Sequence, residues 1–302
     1  MFTGCSPSPK SDPGAISKLK NTIDLINLYA EKDQNKDLEL KAGEIPKAEV
    51  KKHDKNKDHA LSPWEVMEAA NKYNSKPVFI KEQIDLMKKA NDKGRFFHKQ
   101  TTIYFDPVNK GEVTVRGISF LKHYGVSFYE NGMITSGVLA DDTEIKGIEY
   151  MENSRLQFYE NGQVERGYLA DDTTIQDIEY AESTAVSFHE NGKLSYGVLA
   201  EETTVQGNKF YEDSGLEFDK AGRLKTALLP KYKKGSFKLR LGLPYYPDTI
   251  LQGIKFKAAT AVKFHENGRV SEGSLAKNTI LQGKTLKAGT LIKFDSSGQL
   301  QE

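Results

Sequence analysis

The chain has 302 residues, with 43 Lys and Arg against 42 Asp and Glu and a formal net charge of +1, a balance that argues against a wholly basic nucleic-acid binder. One cysteine excludes a disulfide scaffold, and no run is long and apolar enough to span a bilayer. The length suits about two domains.

Residues 1–15 read as a flexible tether. Phe2-Thr-Gly-Cys5 is followed by Ser-Pro-Ser-Pro-Lys-Ser-Asp-Pro-Gly14, a polar leash with no capacity to fold. The arrangement resembles a bacterial lipoprotein, which implies a lipid-accepting Cys5, a membrane tether and a place in the cell envelope, lipid-anchored or periplasmic. Two alternatives stand open. Either the chain begins inside a signal segment, or Cys5 is an ordinary residue of a polar tail and the protein is cytoplasmic.

Ile16 to Lys32 places Ile16, Leu19, Ile23, Ile26 and Ala30 on one stripe and predicts an amphipathic helix. It runs into Asp33-Gln-Asn-Lys-Asp-Leu-Glu-Leu-Lys-Ala-Gly-Glu44, and Asp54-Lys-Asn-Lys-Asp-His-Ala-Leu-Ser-Pro-Trp-Glu65 follows 21 residues later. Alternating Asp, Asn and Asp side chains with a closing glutamate suit a hard cation that takes six to eight oxygens. Both stretches resemble the EF-hand calcium loop. The resemblance implies Ca2+ held by Asp33, Asn35, Asp37, the Glu39 carbonyl and Glu44 in one site. Asp54, Asn56, Asp58, the Ala60 carbonyl and Glu65 form the other. Leu40 and Leu61 take the eighth position, where paired loops of that family join through a short β-bridge. The sixth position, a glycine in the family, is Leu38 in one loop and His59 in the other. A left-handed non-glycine residue costs roughly 1–2 kcal/mol, and about 1.4 kcal/mol is a decade in affinity, so each site is expected to be weak. The same residues also read as plain surface turns, with Ser62 and Glu65 a capping box that needs no metal.

An outgoing helix follows, with Trp64, Met67 and Ala70 inward, then a break at Ser75-Lys-Pro77. A further helix over Ile80 to Ala90 turns Ile84 and Met87 inward. The helical domain is read as 16–94 and a β-repeat domain as 95–302.

From there the chain repeats every thirty residues. Phe128, Phe158, Phe188 and Phe218 fall at equal steps, and Phe264 and Phe294 resume the step after one interruption. An aliphatic residue stands two places before each, the alternation of a half-buried strand. Glu-Asn-Gly then marks a hairpin. A two-residue turn would pair Phe158 with Glu165. A three-residue loop with Gly162 left-handed pairs Phe158 with Val164 and keeps both on one face, and is preferred. A third apolar run (Ile175 to Tyr180 in one copy) gives about three strands per unit, and the glycine within that run reads as a bulge or a close backbone approach. Copies this short must stack and share a core, so the fold class is α+β, a small helical EF-hand-like head followed by an elongated all-β array. The hairpin with its glycine five residues later resembles the MORN-variant repeats of bacterial proteins, which implies an interaction surface for an unidentified protein partner and no chemistry.

An insert at about 230–247 interleaves cations and aromatics, able to meet phosphates, lipid headgroups or an acidic protein, or simply to keep a sheet edge soluble. Residues 121–220 carry twenty Asp and Glu against seven Lys and Arg, and 221–302 five against fifteen. The six histidines are scattered, His189 and His265 falling in the Tyr129 column as strand-surface residues. No nucleophile elbow, phosphate-binding glycine loop or paired-cysteine site is present, so no enzyme is expected. The reading is a calcium-binding head with a β-repeat interaction surface, tethered in a bacterial envelope; the alternative is an intracellular structural or antitoxin-like repeat protein with no bound metal.

Overall fold

The computed structural model describes residues 15–74, 76–97, 99–104, 111–230 and 248–301. Cys5 and the insert cations Lys233, Lys234, Lys238 and Arg240 lie outside them. The fold is mixed but dominated by strands, with four α-helices among the described residues. The chain divides into two units, 1–140 and 141–302.

The first unit opens with a 3-10 turn, Ile16–Lys18, before helix α1, Thr22–Lys32. The helix starts later than the apolar stripe suggests because Asn21 caps it, its Oδ1 accepting the Ile23 and Asp24 amides at 2.8 and 3.0 Å. Strand β1 (Leu40–Lys41), helix α2 (Lys47–His53), strand β2 (Ala60–Leu61) and helices α3 (Pro63–Tyr73) and α4 (Lys81–Asn91) follow. Pro63 begins α3 where its missing N–H costs nothing. Trp64, Met67 and Ala70 are buried as expected, whereas Ile84 is only half-buried. Then come β3 (Thr101–Ile103), the hairpin β4 (Glu112–Val115) and β5 (Ile118–Leu121), and β6 (Val126–Phe128) and β7 (Ile134–Val138).

Two contacts join helices to strands here. The Asn27 amide grips the turn after β4, Nδ2 donating to the Thr114 carbonyl and Oδ1 accepting the Arg116 amide, both at 2.9 Å. Phe96 stands edge-on to Tyr29 and Phe97 lies against Phe128, each pair with centroids 5.7 Å apart.

The second unit shows the repeat plainly. One copy is a small hairpin, β8 (Thr143–Ile145) with β9 (Ile148–Tyr150), followed by a larger hairpin, β10 (Arg155–Phe158) with β11 (Val164–Tyr168). The larger hairpins line up in chain order as a ten-strand antiparallel row from β10 to the terminal Leu300–Gln301 strand. Each small hairpin forms its own two-stranded sheet and is tied to the row by backbone bonds such as Ala170 N–H to Glu149 O, 3.0 Å.

The larger hairpin has the preferred register. Phe158 pairs with Val164 across an irregularity, Gly162 takes φ +80°, and its N–H donates to the Tyr159 carbonyl at 2.9 Å. All six repeat phenylalanines are at most 8% exposed, so the column is core.

The third apolar run departs from expectation, because it is a hairpin and not a single strand. Each unit therefore supplies four strands, and the glycine in that run sits in the turn and not in a bulge. Gln176 and Asp177 are both left-handed, at φ +53° and +66°. That is the geometry of a two-residue primed turn, whose twist matches the strands it joins, and aspartate tolerates it where other copies have glycine.

Close backbone approach occurs at a different glycine. A Cβ on Gly197 would stand 2.4 Å from the Tyr180 ring, and one on Gly167 2.5 Å from Tyr150. The ring ending these small hairpins thus lies on bare backbone of the main row. At the same place in the next copy Ala227 is fully buried, and the corresponding ring, Phe210, stands edge-on to Phe264 at 6.4 Å.

Two outcomes test this packing. Phe158→Ala should cost about 3–5 kcal/mol in urea unfolding. Tyr159→Ala, which loses the hydroxyl bond to the Phe188 carbonyl (2.8 Å), should cost about 1 kcal/mol; the reverse order would mean the faces are misassigned. Gly197→Ala should cost about 1–3 kcal/mol by overpacking, and much less in a Tyr180→Leu background, since the clash needs the ring. Equal costs in both backgrounds would refute the ring-on-glycine contact.

Candidate metal centre

The two acidic loops share most of their internal bonding. Residues four and six of each are left-handed: Lys36 and Leu38 at φ +61° and +64°, Lys57 and His59 at +63° and +70°. The first aspartate holds this bend. Asp33 accepts the Asp37 and Leu38 amides at 3.2 and 2.9 Å, and Asp54 accepts those of Lys57 and His59 at 2.6 and 3.0 Å.

The third-position asparagines repeat the pattern. Asn35 Oδ1 accepts the Asp37 amide and Asn56 Oδ1 the Asp58 amide, both at 3.1 Å. Asp37 and Asp58 each accept the seventh-position amide, of Glu39 and Ala60, at 3.0 Å. The twelfth-position glutamates reach back across the loop. Glu44 accepts the Gln34 and Lys41 amides at 2.9 and 2.8 Å, and Glu65 those of Lys55 and Ser62 at 2.7 and 3.0 Å. Glu65 also accepts the Asn56 amide and the Ser62 hydroxyl, at 3.2 and 2.7 Å, and is 1% exposed.

The loops meet through β1 and β2, where Leu40 pairs with Leu61 and Lys41 with Ala60. Both leucines are fully buried. Beneath them the Tyr29 hydroxyl donates to the Leu61 carbonyl at 2.6 Å; burial, then Asp33 and Glu65, push its pKa well up.

Electrostatically the two loops differ. Burial raises the pKa of Asp33, and the nearby Asp37 and Glu44 carboxylates add to it against the amides that hold it down. Burial also opposes ionisation of Asp37, but the Lys41 ammonium, the Glu39 amide and the Asn35 amide outweigh it and hold the carboxyl below its ordinary value. Lys41 is paired with Asp37 and, at 3.3 Å, with Glu39. It stands ninth in its loop, where the second loop has Ser62. Sequence reasoning passed over this lysine, although its place four residues after Asp37 was visible. Arg116, whose field reaches Asp33, comes from the turn after β4 and had no local signal.

Among the described residues no three His, Cys, Asp or Glu side chains converge as a ready cage. The donor chemistry fits a hard cation all the same, since each loop presents oxygens only, two aspartates and a glutamate among them. Elsewhere, His189 and His265, expected on strands, are half-buried residues just past the end of one, and each donates Nε2–H to the carbonyl of the next copy's phenylalanine, Phe218 and Phe294, at 2.9 and 2.8 Å. No protein-family model matches the chain, and comparison with characterised proteins gives no match.

Glu65→Gln should lower stability by about 2–3 kcal/mol even without metal, because a buried amide cannot accept from all four donors. Glu44→Gln, at a half-buried site with two donors, should cost less. Urea midpoints in a chelator decide, and equal losses would show that Glu65 carries no structural charge.

Proposed function

We propose that the helical segment of the first unit is an EF-hand-like head that binds calcium ions at its two loops, and that the repeats present a surface for a protein partner. The observation that carries the first part is the duplication: the same left-handed positions, the same aspartate and glutamate bridges and an eighth-position strand pair. Asp33, Asn35, Asp37, the Glu39 carbonyl and Glu44 would hold one ion, and Asp54, Asn56, Asp58, the Ala60 carbonyl and Glu65 the other. A bound cation would supply the positive charge that these carboxylates lack.

The repeat surface is the face turned away from the phenylalanine column. There Arg166, Ser187, Tyr196 and Glu217 form one cross-strand row, and Lys263, Glu272 and Lys293 continue its pattern further along. Glu272 accepts from Lys263 at 2.9 Å and faces Lys293 at 3.7 Å. A trough of about 600 Å³ opens over Arg166, Ser187, Tyr196 and Leu228. The hairpin register supports the MORN-like reading, and with it a binding role. Attachment to a membrane outside the cytoplasm through Cys5 completes the proposal. The metal-free alternative draws on one observation, the loop carboxylates already satisfied by backbone amides and Lys41.

Calorimetry separates the two. Calcium should bind weakly, with Kd on the order of 10⁻⁴–10⁻³ M, and the Glu44→Gln, Glu65→Gln double variant, checked for folding, should abolish the heat. Lys41→Gln should tighten the first site severalfold by removing a competing cation. No heat at millimolar calcium, or heat unchanged in the double variant, leaves the alternative standing.

A further inference from the structure

Between α3, α4 and β3 lies a cavity of about 360 Å³ that neither loop uses. Its wall is apolar and firmly built: Met67 and Phe96 are 1% exposed, Met87 6% and Phe97 8%. Leu86, half exposed, stands at the mouth. The pocket is open to solvent on one side, so its apolar wall meets water that an apolar ligand would displace. Clefts that take small ligands begin at about 300 Å³ and are lined mostly by apolar side chains with a few polar groups.

The polar part of the lining fixes the sign of a headgroup. It consists of Lys99, Gln83 and threonines, with no acidic residue. The Lys99 side chain is exposed and has no carboxylate partner among the described residues. Two methionines in the wall are unbranched and adaptable, suited to a flexible chain of varied conformation.

We propose that this cavity binds a medium-chain aliphatic carboxylate, with the alkyl chain among Met67, Met87, Phe96 and Phe97 and the carboxylate at Lys99. The site lies apart from the loops, and binding there does not require calcium.

The test uses the full chain, titrated with hexanoate, octanoate, decanoate and 1-decanol, with the methionine methyl signals as the readout. Shifts should be confined to Met67 and Met87, leaving Met133 and Met151 unmoved. Affinity should rise about fourfold per added methylene until the chain outgrows the cavity. Leu86→Trp, a change at a half-exposed mouth position that leaves the fold intact, should weaken decanoate about tenfold or more. Lys99→Gln should weaken decanoate about twofold to fivefold and leave 1-decanol unchanged. Unmoved Met67 and Met87 signals at saturating decanoate, affinity independent of chain length, or indifference to Leu86→Trp would overturn the site. Equal weakening of acid and alcohol by Lys99→Gln would overturn the headgroup assignment.

Discussion

Contact between an aromatic ring and bare backbone sets the geometry of the repeats. Three small hairpins of the second unit end in a ring, Tyr150, Tyr180 or Phe256, that lies over a glycine of the main row, Gly167, Gly197 or Gly273, closer than any Cβ would permit. Phe120 over Gly137 does the same in the first unit. The distance between the layers follows from that approach, and so does the burial of the phenylalanine column between them. Because the ring belongs to the small hairpin and the glycine to the strand that follows it by seventeen residues, each copy closes its own two-layer core, while the main row couples it to the next. Ala227 marks the limit of the scheme: a single methyl is accommodated there where the ring above is Phe210.

Much of this was legible in the sequence, for physical reasons that differ from residue to residue. The period of the phenylalanines and the alternation before them report a buried strand face directly, and the need to keep Phe158 and Val164 together selects the three-residue loop over the two-residue one. The small hairpin was hidden because its turn has no invariant dipeptide. Left-handed geometry is supplied by Gln176-Asp177 in one copy and Gln206-Gly207 in the next, and a run of Ile, Glu and Tyr after it reads equally well as one strand. The glycine under the ring was visible as a repeated letter, but its partner lies in a different strand, so no local pattern could say what it makes room for.

In the helical segment the acidic spacing located both loops and their shared eighth position, which the pairing of Leu40 with Leu61 matches. What spacing could not convey is the connection onward. Asn27 clasps the turn after β4 with both ends of its amide, while Arg95 pairs with Glu130 and the Phe97 amide donates to the Glu130 carbonyl at 2.7 Å. These contacts link residues far apart in sequence, so that the helices and the first repeat hairpin of this unit form one body.

The loops themselves carry a conflict that bears on any cation they hold. Two left-handed non-glycine residues per loop each cost roughly 1–2 kcal/mol, and amide bonds to a carboxylate contribute about 1.5–3 kcal/mol each. The Leu38 amide is held by Asp33, and the amides of both Lys57 and His59 by Asp54. The first aspartate therefore offsets the strain of the positions that glycine would otherwise relieve. A carboxylate offers about four lone-pair sites, and two at each first aspartate are already used. A cation entering the first loop must share what is left and also displace the Lys41 ammonium from Asp37, whereas in the second loop the ninth position is a neutral hydroxyl bound to Glu65. The two loops thus hold their oxygens differently, with an ammonium on Asp37 in the first and four hydrogen bonds on the buried Glu65 in the second.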